Sequence, residues 1–111
     1  MEHREIIVTP IFEKALKRLS KKYRSVKGLL QGAIATLETT PNVGDEIKGH
    51  QDFFKIRYPN PDAKKGKSGG FRLIYYWSKA SPALLVLVDI YSKSDQEEVD
   101  WNSVKHAMEG L

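Results

Sequence analysis

The chain has 111 residues, of which 41% are hydrophobic and 29% charged, a composition that predicts one soluble domain spanning residues 1–111. It contains no cysteine, which excludes disulfides, zinc–thiolate sites and cysteine nucleophiles. No apolar run is long enough to cross a membrane, and the charged first residues do not resemble a secretory signal, so we expect a cytoplasmic protein with no membrane partner.

Positive charge is concentrated in one part of the chain. Residues 55–79 carry seven basic residues against one acid, a net charge of +6. Residues 89–111 carry a net charge of −4, and residues 1–54 a net charge of +2. This distribution is typical of a protein that binds a polyanion, and a solvated basic loop has the same composition.

The first half of the chain predicts one strand and two helices. A β-branched run at residues 6–9 predicts the strand, after which Thr9 caps a helix with Pro10 in its first position. A second helix extends from about Ser25 to the Thr40–Pro41 step, and we expect the two helices to form an antiparallel hairpin. The solvent side of the first helix carries Lys14, Lys17, Arg18, Lys21 and Lys22.

The second half predicts three strands and a helix. After a loop at residues 41–52, alternation predicts a strand from Phe53 to Tyr58, and apolar runs predict two more at residues 71–79 and 83–93. Ser94 and Glu97 have the spacing of a capping box, which predicts that the last helix begins at Ser94. The order is β-α-α-β-β-β-α, and we expect an α+β domain with an antiparallel four-stranded sheet, an N-terminal two-helix hairpin and a C-terminal helix.

Four segments in this order resemble one family of small proteins. They are the loop pattern Pro41, Gly44, Ile47, Gly49, the strand FFKIR, the segment GGFRLIYYW and the segment IYSKSDQEE. Together they resemble the RelE/ParE superfamily of type II toxins, and are most similar to the HigB-like and RelE-like messenger RNA interferases. The resemblance implies an endoribonuclease that cleaves mRNA in the ribosomal 30S A site without a metal or cofactor, inhibits translation, and is neutralised by a cognate antitoxin.

The chemistry implied by this resemblance is attack of a ribose 2′-hydroxyl on the adjacent phosphorus, which requires cations to stabilise the phosphate charge. Lys55 and Arg57 leave the same face of a strand about 7 Å apart, and Arg72 completes a cationic cluster if the next strand pairs beside them. We assign Arg72 to transition-state charge, Arg57 to phosphate binding, and Lys55 to charge stabilisation or proton transfer. Exposed cations that keep a strand edge from aggregating would show the same pattern.

The remaining site residues come from the basic loop and the end of the last strand. In RelE an arginine follows this strand and a tyrosine lies further on, and the corresponding residues here are Ser94 and Asp100. Tyr91 is therefore our candidate for proton transfer. The residues expected to bind RNA or the ribosome are Lys64, Lys65, Lys67 and Lys93.

Two other functions remain open at this point. The first is a ParE-like inhibitor of DNA gyrase, which would share the fold and act by protein contact. The second is a catalytically inactive RNA-binding homologue of the toxin. The cluster of Lys55, Arg57 and Arg72 favours the nuclease, because neither alternative needs converging cations.

Overall fold

The computed structural model describes residues 4–61 and 70–111. The strands are β1 (Glu5–Val8), β2 (Asp45–Glu46), β3 (Phe53–Tyr58), β4 (Phe71–Trp77) and β5 (Leu84–Ser92). The helices are α1 (Pro10–Lys22), α2 (Val26–Thr39) and α3 (Trp101–Glu109). In the described part of the chain, no helix has both the length and the hydropathy needed to cross a bilayer.

The sheet has five strands in the order β1-β5-β4-β3-β2. Strands β3, β4 and β5 form the expected antiparallel meander, while β1 pairs parallel to the first half of β5. The prediction of four antiparallel strands is therefore wrong in two respects. Two residues of the predicted loop, Asp45 and Glu46, pair with β3. The first strand, β1, runs parallel to β5, a direction that its own short sequence does not encode because it is set by pairing with a distant segment.

The start of α1 follows the predicted chemistry. Thr9 has an extended backbone, and its hydroxyl accepts a hydrogen bond of 3.0 Å from the N–H of Phe12. The same hydroxyl donates to the carbonyl of Val88 at 2.7 Å, which fixes the beginning of α1 against β5. The apolar sides of α1 and α2 then cover one face of the sheet in the larger of two cores. That core includes Phe12, Leu19, Val26, Leu37, Phe71, Leu73, Tyr75 and Leu87.

The last helix begins later than the sequence predicted. Ser94 lies in a turn after β5, where its N–H donates to the hydroxyl of Ser92, so the expected capping box does not form. Asp100 caps α3 instead, its carboxylate accepting from the N–H of Ser103 at 3.3 Å and from the Ser103 hydroxyl at 2.9 Å. Both segments have cap chemistry, and packing decides between them, because α3 buries Val104 in the second core.

This second core covers the sheet face opposite the helix hairpin. It contains Ile74, Val86, Val88, Tyr91 and Val104, with Phe53, Tyr76, Val99, Trp101 and Met108 packed against it. Strands β4 and β5 are therefore covered on both faces, as their continuous apolar sequences predict.

Asp89 is a carboxyl group inside this apolar strand. It is 7% exposed, lies opposite Ile74 on β4, and accepts a 2.8 Å hydrogen bond from the N–H of Ile90. Burial raises the pKa of Asp89 from its ordinary value of 3.8 to about 6, against the lowering effects of the Ile90 hydrogen bond and the positive charge of Arg18. The folded chain thus favours the protonated form of Asp89 more strongly than the unfolded chain does.

We predict that Asp89→Asn stabilises the fold at neutral and alkaline pH. Because the folded pKa exceeds the unfolded one, the contribution of Asp89 is fully favourable below about pH 4 and is lost as the pH rises through about 6. The variant should therefore match the parent near pH 4 and exceed its unfolding free energy by about 2 kcal/mol at pH 8. Urea unfolding between about pH 4 and pH 8 measures the unfolding free energy of the parent and of the variant. An equal pH dependence in the two proteins would contradict the raised pKa of Asp89.

We also predict that Gly70→Ala destabilises the fold. A Cβ atom at Gly70 would lie 2.5 Å from the backbone oxygen of Tyr58 and 3.0 Å from a guanidinium nitrogen of Arg72, so β3 and β4 must separate to admit it. The expected cost is about 1–3 kcal/mol. The control is Gly32→Ala in α2, where a Cβ would meet nothing within 4 Å and helix propensity should raise stability by about 1 kcal/mol. The thermal unfolding temperature should therefore fall for Gly70→Ala and rise for Gly32→Ala.

Candidate functional site

Three strands bring the predicted site residues to one face of the sheet. In β3, Phe54, Ile56 and Tyr58 belong to the core under the helix hairpin, so Lys55 and Arg57 face the other side. The backbone register places Arg57 opposite Arg72 and Arg72 opposite Tyr91. The structure thus brings Arg57, Arg72 and Tyr91 into one row across β3, β4 and β5, with Lys55 one step along the same face.

Arg57 and Arg72 are adjacent cations. Directly opposite side chains on antiparallel strands have Cβ atoms about 4.5–5.5 Å apart, and like charges at that separation repel. Neither arginine forms an ion pair with any carboxylate of residues 4–61 or 70–111. A guanidinium nitrogen of Arg72 donates to its neighbour's carbonyl, that of Phe71, at 3.3 Å, which leaves the other nitrogens of the fork available. The row therefore favours an anion between the two guanidinium groups.

Lys55 occupies the position opposite Ile74 on one side and Asp45 of the short edge strand on the other. The described residues contain no ion pair between Lys55 and Asp45 within 4.0 Å. Lys55 is thus a third cation on this face, with its Cα about 7 Å along β3 from that of Arg57.

Tyr91 forms the third member of the row and is only 4% exposed. Burial raises the pKa of its hydroxyl above the ordinary value of 10.0, as do the negative charges of Asp89 and Glu98, while the positive charges of Arg72 and Arg57 oppose that shift. The hydroxyl therefore keeps its proton at neutral pH. In that state it donates a hydrogen bond or a proton, and it is a poor acceptor of a proton from another group.

Of the other basic residues predicted to bind RNA, the structure describes Lys93. Lys93 follows β5, and its ammonium group donates to the carbonyl of Glu97 at 3.0 Å, which orders the segment between β5 and α3. The backbone N–H of Lys93 donates to the carbonyl of Gly70 at 2.9 Å. Lys64, Lys65 and Lys67 lie outside the described residues.

Ser94 and Asp100, the two positions at which the sequence was expected to depart from the RelE-like pattern, have structural surroundings here. Ser94 is exposed in a turn, and Asp100 is occupied by capping α3. Neither side chain replaces the missing arginine or tyrosine.

Sequence reasoning missed two acidic residues near the row, Asp89 and Glu98. Their negative charges act on Tyr91, although Glu98 belongs to a segment that was predicted to be helical. The only available signal was an acid interrupting the apolar run of β5. Asp89 and Tyr91 are two residues apart, so they lie on one side of the strand.

The described residues contain no group of three or more His, Asp or Glu side chains that could hold a metal ion. His50 is stacked on Trp101, with ring centroids 3.5 Å apart, and His106 lies 3.9 Å from Glu109. Among the described residues, this face presents its cations and the Tyr91 hydroxyl as groups that can act in a reaction.

Comparison with known proteins identifies the fold. No family model matches the chain. Among solved structures, the chain is similar to a double arginine-to-alanine variant of the E. coli toxin RelE in the free state, with 17% sequence identity and a TM-score of 0.58. The similarity covers 100% of this chain and 99% of that one. The chain therefore has a RelE-like fold: three helices and a five-stranded mixed sheet.

Proposed function

We propose that this chain is the toxin of a type II toxin–antitoxin system, a ribosome-dependent endoribonuclease related to the RelE-like and HigB-like interferases. The RelE-like fold supports the general class. The observation that carries the nuclease is the row of Arg57, Arg72 and Tyr91 with Lys55 beside it, because unpaired cations beside a protonated hydroxyl suit cleavage of a phosphodiester.

The reaction needs little beyond orientation, charge stabilisation and two proton transfers. The 2′-hydroxyl attacks the adjacent phosphorus, the bond from phosphorus to the 5′-oxygen breaks, and a 2′,3′-cyclic phosphate forms. Charge grows on the phosphate oxygens as the attack proceeds. Arg57 and Arg72 lie opposite each other on β3 and β4, so both can contact one phosphate. Arg57 binds that phosphate, and Arg72 stabilises the additional charge with its planar fork.

The proton assignments follow from the burial of Tyr91. The Tyr91 hydroxyl carries its proton at neutral pH and is a stronger acid than the alcohol that leaves, so it can protonate the departing 5′-oxygen. Lys55 lies two residues along β3 from Arg57, on the same face, and is assigned to charge stabilisation or to proton transfer at the 2′-hydroxyl. The sequence made Tyr91 a candidate for proton transfer in either direction. We propose the narrower role of proton donor.

The proposed partners follow from the same surface. The mRNA would enter the face in the ribosomal 30S A site, in the cytoplasm, with Lys93 and the loop lysines 64, 65 and 67 binding RNA. An antitoxin would neutralise the toxin with an acidic or amphipathic segment laid over residues 55–79. The two arginines without ion pairs offer that segment a charge-complementary surface.

We predict that Arg72→Gln lowers the rate of mRNA cleavage on programmed ribosomes by about 100–1000-fold, as loss of a preorganised donor does elsewhere. Removing one of two repelling cations should leave the thermal unfolding temperature equal or slightly higher, since the repulsion is worth about 0.2–1 kcal/mol. The matched control is Lys79→Gln, an exposed cation in the β4–β5 turn, which should cleave at the parental rate.

The same variant separates the possible functions in cells. Mapping of mRNA ends after induction should show cuts within codons of translated transcripts and none in untranslated ones, and Arg72→Gln should abolish both the cuts and the growth arrest. Growth arrest that survives Arg72→Gln would point to a gyrase inhibitor. No arrest by the parent chain would point to an inactive homologue.

We predict that Tyr91→Phe lowers the cleavage rate by about 100-fold while keeping the packing of the ring. Because the pKa of Tyr91 is raised, the hydroxyl is protonated throughout pH 6–9, so the loss should be the same factor across that range. Tyr76→Phe is the control, since Tyr76 lies on the same face opposite Val86 and outside the row. A loss that grows with rising pH would instead indicate that Tyr91 accepts a proton, because the deprotonated hydroxyl becomes more abundant as the pH approaches its pKa.

A further inference from the structure

A second basic surface lies on the solvent side of α1, the helix that covers the sheet face opposite the cation row. We name it the α1 basic face. It forms an open depression on the surface that is lined entirely by five cationic side chains, Lys14, Lys17, Arg18, Lys21 and Lys22. All five are exposed, while Phe12, Ala15 and Leu19 on the other side of the helix are buried. The cations therefore have no part in packing the core.

This face carries more charge than an ordinary solvated helix. Residues 14–27 contain seven basic residues and no acid, whereas soluble surfaces usually mix both signs. Within the described chain, Lys22 is the member of the face that forms an ion pair, with Asp95 at 2.7 Å. The other four have no ion-pair partner within 4.0 Å among the described residues. A polyanion would relieve the mutual repulsion of these charges.

The α1 basic face ends beside the candidate site. Tyr23, the residue after α1, packs edge-on against Phe71 with ring centroids 5.4 Å apart, and Phe71 precedes Arg72 in β4. The ion pair between Lys22 and Asp95 joins the end of α1 to the segment that follows Tyr91. The end of α1 and the row of Arg57, Arg72 and Tyr91 thus lie toward the same end of the sheet, on its two opposite faces.

We infer that the α1 basic face binds the phosphate backbone of a folded RNA, separately from the strand that is cleaved. The choice of RNA rests on the proposed function, because an RNA seated at Arg57 and Arg72 brings neighbouring RNA to the end of α1. The cations recur once per helical turn, about every 5.4 Å, which allows several contacts along one phosphate chain. Such contacts position an RNA without reading its sequence.

The first experiment measures binding to an RNA that cannot be cleaved. The probe is a fluorescent hairpin with a stem of about 16 base pairs, 2′-O-methylated throughout. The double variant Lys17→Gln with Lys21→Gln is compared with Lys48→Gln with Lys79→Gln, which removes the same charge from exposed turns elsewhere. Titrations run between about 50 and 200 mM salt, because backbone contacts are recognised by their salt dependence.

The α1 double variant should bind the hairpin about tenfold more weakly at low salt, with the slope of log affinity against log salt reduced by about 2. The control double variant should change the hairpin affinity and the salt slope much less. An equal loss in the two variants would overturn the inference, since net charge alone would then explain binding. Unchanged hairpin binding with a loss of poly-glutamate binding would also overturn it, and would assign the face to an acidic protein.

A second measurement separates this inference from the proposed nuclease. Arg72→Gln should lose cleavage of mRNA on ribosomes and keep hairpin binding that depends on Lys17 and Lys21. Hairpin binding that depends on these lysines in a parent chain that cleaves nothing would support the inference and contradict the nuclease. Cleavage by the parent with no role for the two lysines in hairpin binding would support the nuclease and overturn the inference.

Discussion

The site depends on the backbone register of β3, β4 and β5. The row of Arg57, Arg72 and Tyr91 exists because these residues are paired across adjacent strands. A slip of one residue would turn every side chain of a strand to the opposite face and expose the buried residues beside the cations, such as Phe71 and Leu73. The apolar residues of the two cores therefore fix where the cations lie, although they take no part in the chemistry.

This arrangement works against local stability. Two arginines face each other without a carboxylate among the described residues, and a carboxyl group is buried at Asp89 nearby. Each feature costs free energy, which the packing of β4 and β5 between two apolar layers offsets. Unfavourable local chemistry held by a well-packed frame is common at functional sites, because a rigid frame keeps charges positioned where an anion will bind.

The two basic surfaces differ in how firmly their cations are held. Arg57 and Arg72 extend from paired strands in the middle of the sheet, which suits a reaction with strict geometric demands. Lys17 and Lys21 extend into solvent from α1 on long flexible side chains, which suits electrostatic attraction that tolerates many geometries. Division of the chain into charge segments hid the second surface, because residues 1–54 include seven acids, of which only Glu13 lies on α1, and these reduce the net charge to +2.

Local sequence determined much of the molecule. Alternation in FFKIRY placed Lys55 and Arg57 on the face opposite Phe54 and Ile56, and Thr9 with Pro10 fixed the start of α1, because both depend on neighbouring residues alone. Tertiary structure alone decided the parallel pairing of β1, the choice of Asp100 over Ser94 as the helix cap, and the contact of Arg72 with its two neighbours in the row. It also brought the end of α1 to the end of the sheet. These features depend on which distant segments pack together, a choice made by the total apolar surface buried, which no short stretch of sequence contains.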